Sequence, residues 1–263
     1  MKFYQLLTEA SQYIIPQLYK QRFFKKQNQL SRENIISRKV EPELLWLTEF
    51  LPKDAIFIDV GANVGHFIYQ LEYHLFPQNI YAFEPNKSLN RRLKRLFPKV
   101  KLFSVALSDE NTVAEFKIPV LKGEKVNSRG TLQTDFREEN EEKTIIQKVK
   151  VVKLDDFVPI QKLEKVDFIK IDVEGNEMKT LRGAKETILK HQPILMVEME
   201  QRHHKEPLWS LISEVESWGF TANYLDRETF NLKKLIEEFI NSQDAVFVKD
   251  YKNYINNIIF LPN

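Results

Sequence analysis

The chain predicts an α/β fold of the Rossmann-like type, a mostly parallel, seven-stranded sheet flanked by helices. Three observations predict it. Ala55-Ile-Phe-Ile-Asp-Val60 has five apolar residues in six and runs into Gly61-Ala-Asn-Val-Gly65, after which Phe67, Ile68, Leu71 and Leu75 follow at helical spacing. A buried strand, a glycine turn and a helix start make the opening of a β-α-β unit. Asn79-Ile-Tyr-Ala-Phe-Glu-Pro-Asn86 is a second apolar strand, and its Glu84 lies 84 − 61 = 23 residues after Gly61. Val166–Asp172 and Pro193–Glu200 are two further apolar runs with a helical stretch between them.

The remaining elements follow in order. Phe3, Leu6, Leu7, Ala10, Tyr13 and Ile14 share a helical face that Pro16 interrupts or restarts. Tyr19-Lys-Gln-Arg-Phe-Phe-Lys-Lys26 mixes basic and aromatic residues. It is either a surface for an anionic substrate, membrane or partner, or a solvated helix whose rings pack on the main domain. Residues 1–45 therefore read as an N-terminal helical segment, a lid or a packing element, ahead of a main domain over 46–263. Glu41–Leu51 reads as a helix with Pro42 in its first turn. Ser88–Leu96 reads as a basic helix, with Ser88 as N-cap and Pro98 as stop. Val100–Leu107 is the third strand. Residues 108–154 read as an insertion, in which Val113–Val120 pairs with Thr144–Leu154 as a hairpin around a polar loop, Lys122–Lys143, that is a mobile substrate element or disordered. Val166–Asp172 is the fourth strand, Glu177–Lys190 a helix, Pro193–Glu200 the fifth strand and Pro207–Trp218 an amphipathic helix stopped at Gly219. Thr221–Leu225 and Asn257–Leu261 are the last two strands, with Leu232–Ile240 helical between them.

Composition bounds the function. The chain has 263 residues, 43% of them hydrophobic, enough to bury a large core. It has no cysteine, which excludes disulfides, thiolate metal sites and cysteine nucleophiles. Its 39 basic and 37 acidic residues are too balanced to imply a nucleic-acid partner. The N-terminus lacks a secretory pattern and no stretch approaches a transmembrane span, so a cytoplasmic protein is expected. The oligomeric state is open.

A strand ending in a glycine turn against a helix is where α/β proteins hold a cofactor. Dinucleotide sites use G-x-G-x-x-G; here Asn63 stands where the middle glycine would admit a pyrophosphate. Glu84 is placed to accept hydrogen bonds from both hydroxyls of a ribose. An adenosine with a free diol and no pyrophosphate describes S-adenosyl-L-methionine. By place, Asp59 and the turn of Gly61, Ala62, Asn63 and Gly65 hold its methionine part, Glu84 its ribose, and Asn86 and Ala106 lie at the adenine. The competing reading is a β-α-β unit with an incidental loop carboxylate.

The run Asp59-Val-Gly-Ala-Asn-Val-Gly65, then Phe83-Glu-Pro-Asn86, then Val166-Asp-Phe-Ile-Lys-Ile-Asp-Val-Glu-Gly-Asn-Glu177 with Leu181-Arg-Gly-Ala184 behind it, resembles the FkbM family of S-adenosylmethionine-dependent methyltransferases. The resemblance runs from about Phe57 to Glu198. It implies the class I methyltransferase version of the fold and a small-molecule, sugar or glycan acceptor methylated on a hydroxyl. It also sets Asn127–Leu132 at the family's small-residue segment, a candidate acceptor wall. An alcohol acceptor needs a general base. Asp172, Glu174 and Glu198 are the candidates; Asp172 and Glu174 are alternatively groups that orient the loop or the methionyl amine. Asp172 with Glu198 is also a possible divalent-cation pair, but no metal site is assigned. The five histidines show no metal spacing; His66 alone is expected near the cofactor, and His203-His204 either reach the acceptor or form a solvated loop pair. Transfer to nitrogen, a cofactor-binding module without turnover, and a nicotinamide oxidoreductase are the other readings.

Overall fold

Alternation along the apolar runs decides the architecture. In the computed structural model, which describes residues 10–243 and 254–263, the strands in chain order are β1 (Phe57–Val60), β2 (Ile80–Phe83), β3 (Lys101–Phe103), β4 (Val105–Leu107), β5 (Thr112–Leu121), β6 (Glu124–Lys125), β7 (Glu141–Val152), β8 (Phe168–Ile171), β9 (Ile194–Glu198), β10 (Phe220–Leu225), β11 (Leu232–Lys234) and β12 (Asn257–Pro262). The main sheet has the order β11-β10-β12-β9-β8-β1-β2-β3. β9, β8, β1, β2 and β3 are mutually parallel, and β12 is antiparallel to both of its neighbours. Every residue of β1, β2 and β8 is buried, as strands covered on both faces must be. Phe57, Ala82, Phe168 and Met196 face one core, shared with Tyr19 and Phe24 of the N-terminal segment and with Leu47. Ile58, Phe83, Ile169 and Ile171 face the other, shared with Leu181, Ile188 and Ile212. This is the Rossmann-like fold expected of a class I methyltransferase, with an eighth strand at one edge.

That eighth strand, β11, corrects the expected helix over Leu232–Ile240. Asp226 Oδ1 accepts from the backbone N–H groups of Glu228 and Thr229, Phe230 takes a left-handed φ of 58°, and the chain reverses. Leu232–Lys234 is thereby laid against Asn223–Leu225, and only a 3₁₀ segment, Glu237–Gln243, follows. The expected third strand over Val100–Leu107 breaks at Ser104: β3 stays in the main sheet, whereas β4 joins a second sheet of order β4-β7-β5-β6. The hairpin of β5 and β7 is the inserted one, in register Glu115↔Lys148. The polar stretch between them is ordered by Thr131, which exchanges backbone hydrogen bonds with Lys117. The expected continuous helix over Glu177–Lys190 is two, Glu177–Arg182 and Lys185–His191. They part at Gly183, where a Cβ would lie 1.9 Å from the carbonyl oxygen of Ser108.

The N-terminal segment packs on the main domain. Phe24 stacks on Tyr69 at 4.4 Å between centroids, and Lys20 is buried in a 2.6 Å ion pair with Glu72. Residues 1–9, in which part of the first expected helix falls, lie outside the described residues.

Candidate active site

Register places the site. Val60 pairs with Phe83 on one side and Ile171 on the other, and Ile171 pairs with Val197. The next residues therefore stand in a row along the carboxyl edge of the sheet: Glu84, Gly61, Asp172 and Glu198. At about 4.8 Å between strands the row spans roughly 14 Å.

The Glu84 half is built by backbone. Gly61 has φ +80°, and a Cβ on it would lie 1.8 Å from the carbonyl oxygen of Asp172, so only glycine lets the β1 turn approach β8. The N–H groups of Gly61 and Ala62 both donate to the carbonyl of Phe83. Glu84 is 4% exposed, and its two oxygens accept from Asn63 N–H and Asn86 N–H at 2.7 Å each. Burial pushes its carboxyl up to about 7 against these two donors. Val105, Ala106 and Leu107 of β4 form the wall beside it, and Asn127, Ser128 and Gly130 of the insertion close the far side. The resulting cavity holds about 540 Å³ to its open mouth and also touches Asp172 and Glu174. The buried Oδ1 of Asn63 has no hydrogen-bond partner among the described residues.

Between the halves stands Lys170. Asp59 of β1 and Lys170 of β8 are Cα partners on one face. The ammonium lies 3.0 Å from the carbonyl oxygen of Gly61, and 3.3 Å from both Asp59 Oδ1 and Asp172 Oδ2. Burial works against its charge, but Asp172, Asp59, Glu41 and Glu198 outweigh burial and hold it above the ordinary lysine range. Burial raises Asp59 as well, with Lys170 opposing.

The second half is a recess lined by Asp172, Glu174, Glu177, Glu198, Glu200 and His203. His203 Nε2 lies 3.1 Å from Glu174 Oε2 and 3.6 Å from Glu200 Oε2. Although burial disfavours the imidazolium, these carboxylates push His203 up to about 9. Glu200 receives Arg202 at 2.5 Å and the Tyr254 hydroxyl; these and His203 overcome burial and bring it down to about 2. Glu174 is raised by burial, with His203 acting in the opposite sense. Glu198 is raised well above the carboxylate range by burial and by Asp172, Glu41, Glu174 and Glu200; it accepts from Asn256 at 2.8 Å. The insertion covers this half: Thr131 Oγ1 donates to the carbonyl of Glu174, and Gln133 to that of Gly175.

Of the residues expected at the cofactor, Gly61, Asn63, Glu84 and Ala106 line the cavity. Asp59, Ala62, Gly65 and Asn86 do not line it. Asn86, rather than Ser88, caps the helix Lys87–Leu96, its Oδ1 accepting from Ser88 and Leu89 N–H. Asp172 and Glu174 border both cavity and recess, whereas Glu198 borders the recess alone. His66 does not line the cavity; its Nδ1 meets Gln27 Oε1 at 3.0 Å. His203 and His204 are not a solvated pair, since their side chains are 5% and 8% exposed and His204 meets Glu177 at 3.3 Å. Lys170 and Glu177 stand about Asp172 as their spacing in the chain implies, and Glu200 and Tyr254 are additions. In the expected strand Pro193–Glu200, Glu198 and Glu200 share a face by the period of two, the available signal for Glu200; the observed strand ends at Glu198. Among the described residues, no group of three or more His, Asp or Glu is arranged to hold a metal ion, and no helix is long and apolar enough to cross a membrane.

A parallel sheet with this order, a glycine turn after its first strand and a buried carboxylate ending its second defines the class I methyltransferase architecture. The family model described as the methyltransferase FkbM domain matches residues 59–232, and the chain belongs to that family. It is 25% identical over 206 residues to the 2-O-methyltransferase NoeI of Sinorhizobium fredii, which covers 73% of this chain and 83% of NoeI. It is 25% identical over 183 residues, 58% of the chain, to the antimetabolite synthetase AmbE of Pseudomonas aeruginosa, of which it spans only 9%. A crystal structure of an FkbM methyltransferase from Methylobacillus flagellatus superposes with a TM-score of 0.48 at 14% identity, covering 79% of this chain and 44% of that one.

Proposed function

We propose that the chain is an S-adenosylmethionine-dependent O-methyltransferase whose acceptor is a hydroxyl on a small polyhydroxylated molecule or carbohydrate. The observation that carries the reading is the continuity of the two halves. The cavity bounded by Glu84 meets the carboxylate–histidine recess at Asp172 and Glu174. The cavity fits the donor. Glu84 faces it while both its oxygens retain lone pairs for ribose hydroxyls, β4 gives an apolar wall for a base, and Asn63 Oδ1 awaits a donor. Bound there, S-adenosylmethionine would supply an electrophilic methyl group.

The chain's own residues then divide the work. The Lys170 ammonium engages Asp172 at 3.3 Å, which leaves Glu174 as the freer carboxylate of the two that border both spaces. Burial raises Glu174 above the ordinary carboxylate value, the direction that suits a general base. His203 orients it from 3.1 Å. Glu198, raised well above the carboxylate range by burial and by the neighbouring carboxylates, lines the same recess and is placed to hydrogen-bond a polar acceptor. A recess of carboxylates suits a polyol, which offers several O–H donors, and the relative NoeI is named a 2-O-methyltransferase.

The test is incubation with methyl-labelled donor and a panel of mono- and oligosaccharides and other hydroxylated small molecules. Label on an acceptor oxygen is expected. Label on nitrogen, or S-adenosylhomocysteine binding with no transfer to any acceptor, would replace the proposal by N-methylation or by a binding module.

A further inference from the structure

We infer that the face made by residues 13–26 and the helix Lys87–Leu96 is a docking surface for an anionic phospholipid bilayer. Two kinds of residue are gathered there. The segments Pro16–Gln27 and Lys87–Leu96 contain nine basic residues and no acidic one, in a chain of net charge +2. Lys20 is consumed by Glu72. Arg22, Lys25, Lys26, Lys87, Arg91 and Lys94 are exposed.

Beside them the chain leaves apolar side chains in solvent: Tyr13 at 68%, Ile14 at 81%, Ile15, Leu18 and Phe23. The segments are fastened together, so the two sets form one surface. The Arg92 guanidinium lies 4.0 Å from the Phe23 ring centre, the Arg95 guanidinium lies 4.0 Å from that of Tyr13, and Arg95 donates to Gln12 at 2.6 Å.

The pairing selects the partner. Cations alone fit any polyanion, nucleic acid included. Ile14, Ile15 and Leu18 gain nothing from a phosphodiester backbone, but they enter the boundary between headgroups and acyl chains, while the basic residues meet anionic lipid. A second protein molecule would have to supply an equally acidic and apolar face.

The experiment is co-sedimentation of the full chain with vesicles of phosphatidylcholine alone and of phosphatidylcholine with phosphatidylglycerol, with the same chain titrated against duplex DNA and single-stranded RNA. Binding to the anionic vesicles only, weakened by salt, is expected. Arg91→Gln with Lys94→Gln should lower partitioning by about fivefold per charge removed. Ile14→Ser with Leu18→Ser should lower it by about tenfold or more. Thermal melts and S-adenosylhomocysteine binding should be unchanged in both, since neither pair touches the cavity. Equal behaviour of wild type and both variants on anionic vesicles, no vesicle binding at all, or binding to nucleic acid in its place would overturn the inference.

Discussion

The two halves of the site are built by different physics. Around Glu84 the geometry is fixed by main chain: a left-handed glycine, a backbone carbonyl receiving two N–H groups, and two N–H groups on one carboxylate, all between residues 61 and 86. In the recess the geometry is fixed by charge. Glu174, Glu200, Arg202 and His203 hold one another by ion pairs and Asp172 pairs with Lys170, all at or just beyond the ends of two strands. A backbone-built pocket suits a ligand that never changes. A recess of side chains is reshaped by a few substitutions, which suits the acceptor side of the proposed reaction.

Four substitutions break or sharpen that contrast, from the largest effect to the smallest. Gly61→Ala should strike at main-chain level: its Cβ has nowhere to go, and stability in urea should fall by about 3 kcal/mol or more. A loss under about 1 kcal/mol would show that β1 and β8 can part without harm. Glu174→Gln should act on chemistry alone, lowering kcat by about 10²–10⁴-fold while S-adenosylhomocysteine affinity stays within about twofold. If Asp172→Asn gives that pattern and Glu174→Gln does not, the base is Asp172.

Glu84→Gln should weaken S-adenosylhomocysteine binding by about 1.5–3 kcal/mol in calorimetry, with the fold unchanged. The sign of the pH dependence follows from burial. Glu84 is raised to about 7 in the free protein, and ribose hydroxyls favour its ionised form. Affinity should therefore rise as pH climbs through about 7, and binding below that pH should release protons. An affinity independent of pH would remove Glu84 from the ligand. His203→Gln should have the smallest effect. The imidazolium lowers Glu174, so its loss should move the acidic limb of the kcat profile to higher pH. A shift to lower pH, or none, would detach His203 from the base.

The same contrast explains what could be read in advance. The main sheet was readable because strand, glycine turn, helix and strand succeed one another within some thirty residues, and a buried parallel strand leaves a continuous apolar run. The capping role of Asn86 was missed in favour of Ser88, since both residue types cap and only the turn after Pro85 decides between them. β11 was missed because Leu232–Lys234 becomes a strand only once Asp226 has reversed the chain. The order of residues leaves His203 open between an acceptor contact and a solvated loop, because nothing near it in the chain shows that Glu174 lies 3.1 Å away.

The amino-acid order alone determined the central strands of the sheet, the glycine turn and the carboxylates Glu84, Asp172 and Glu198 at one edge, because hydrophobic periodicity and left-handed turns are encoded locally. Tertiary structure alone decided that Lys170 stands between Asp59 and Asp172, that His203 bears a proton between Glu174 and Glu200, and that the insertion closes over them. Those outcomes depend on charges brought together from distant parts of the chain and removed from water, and proton affinity follows distance and burial rather than sequence neighbours.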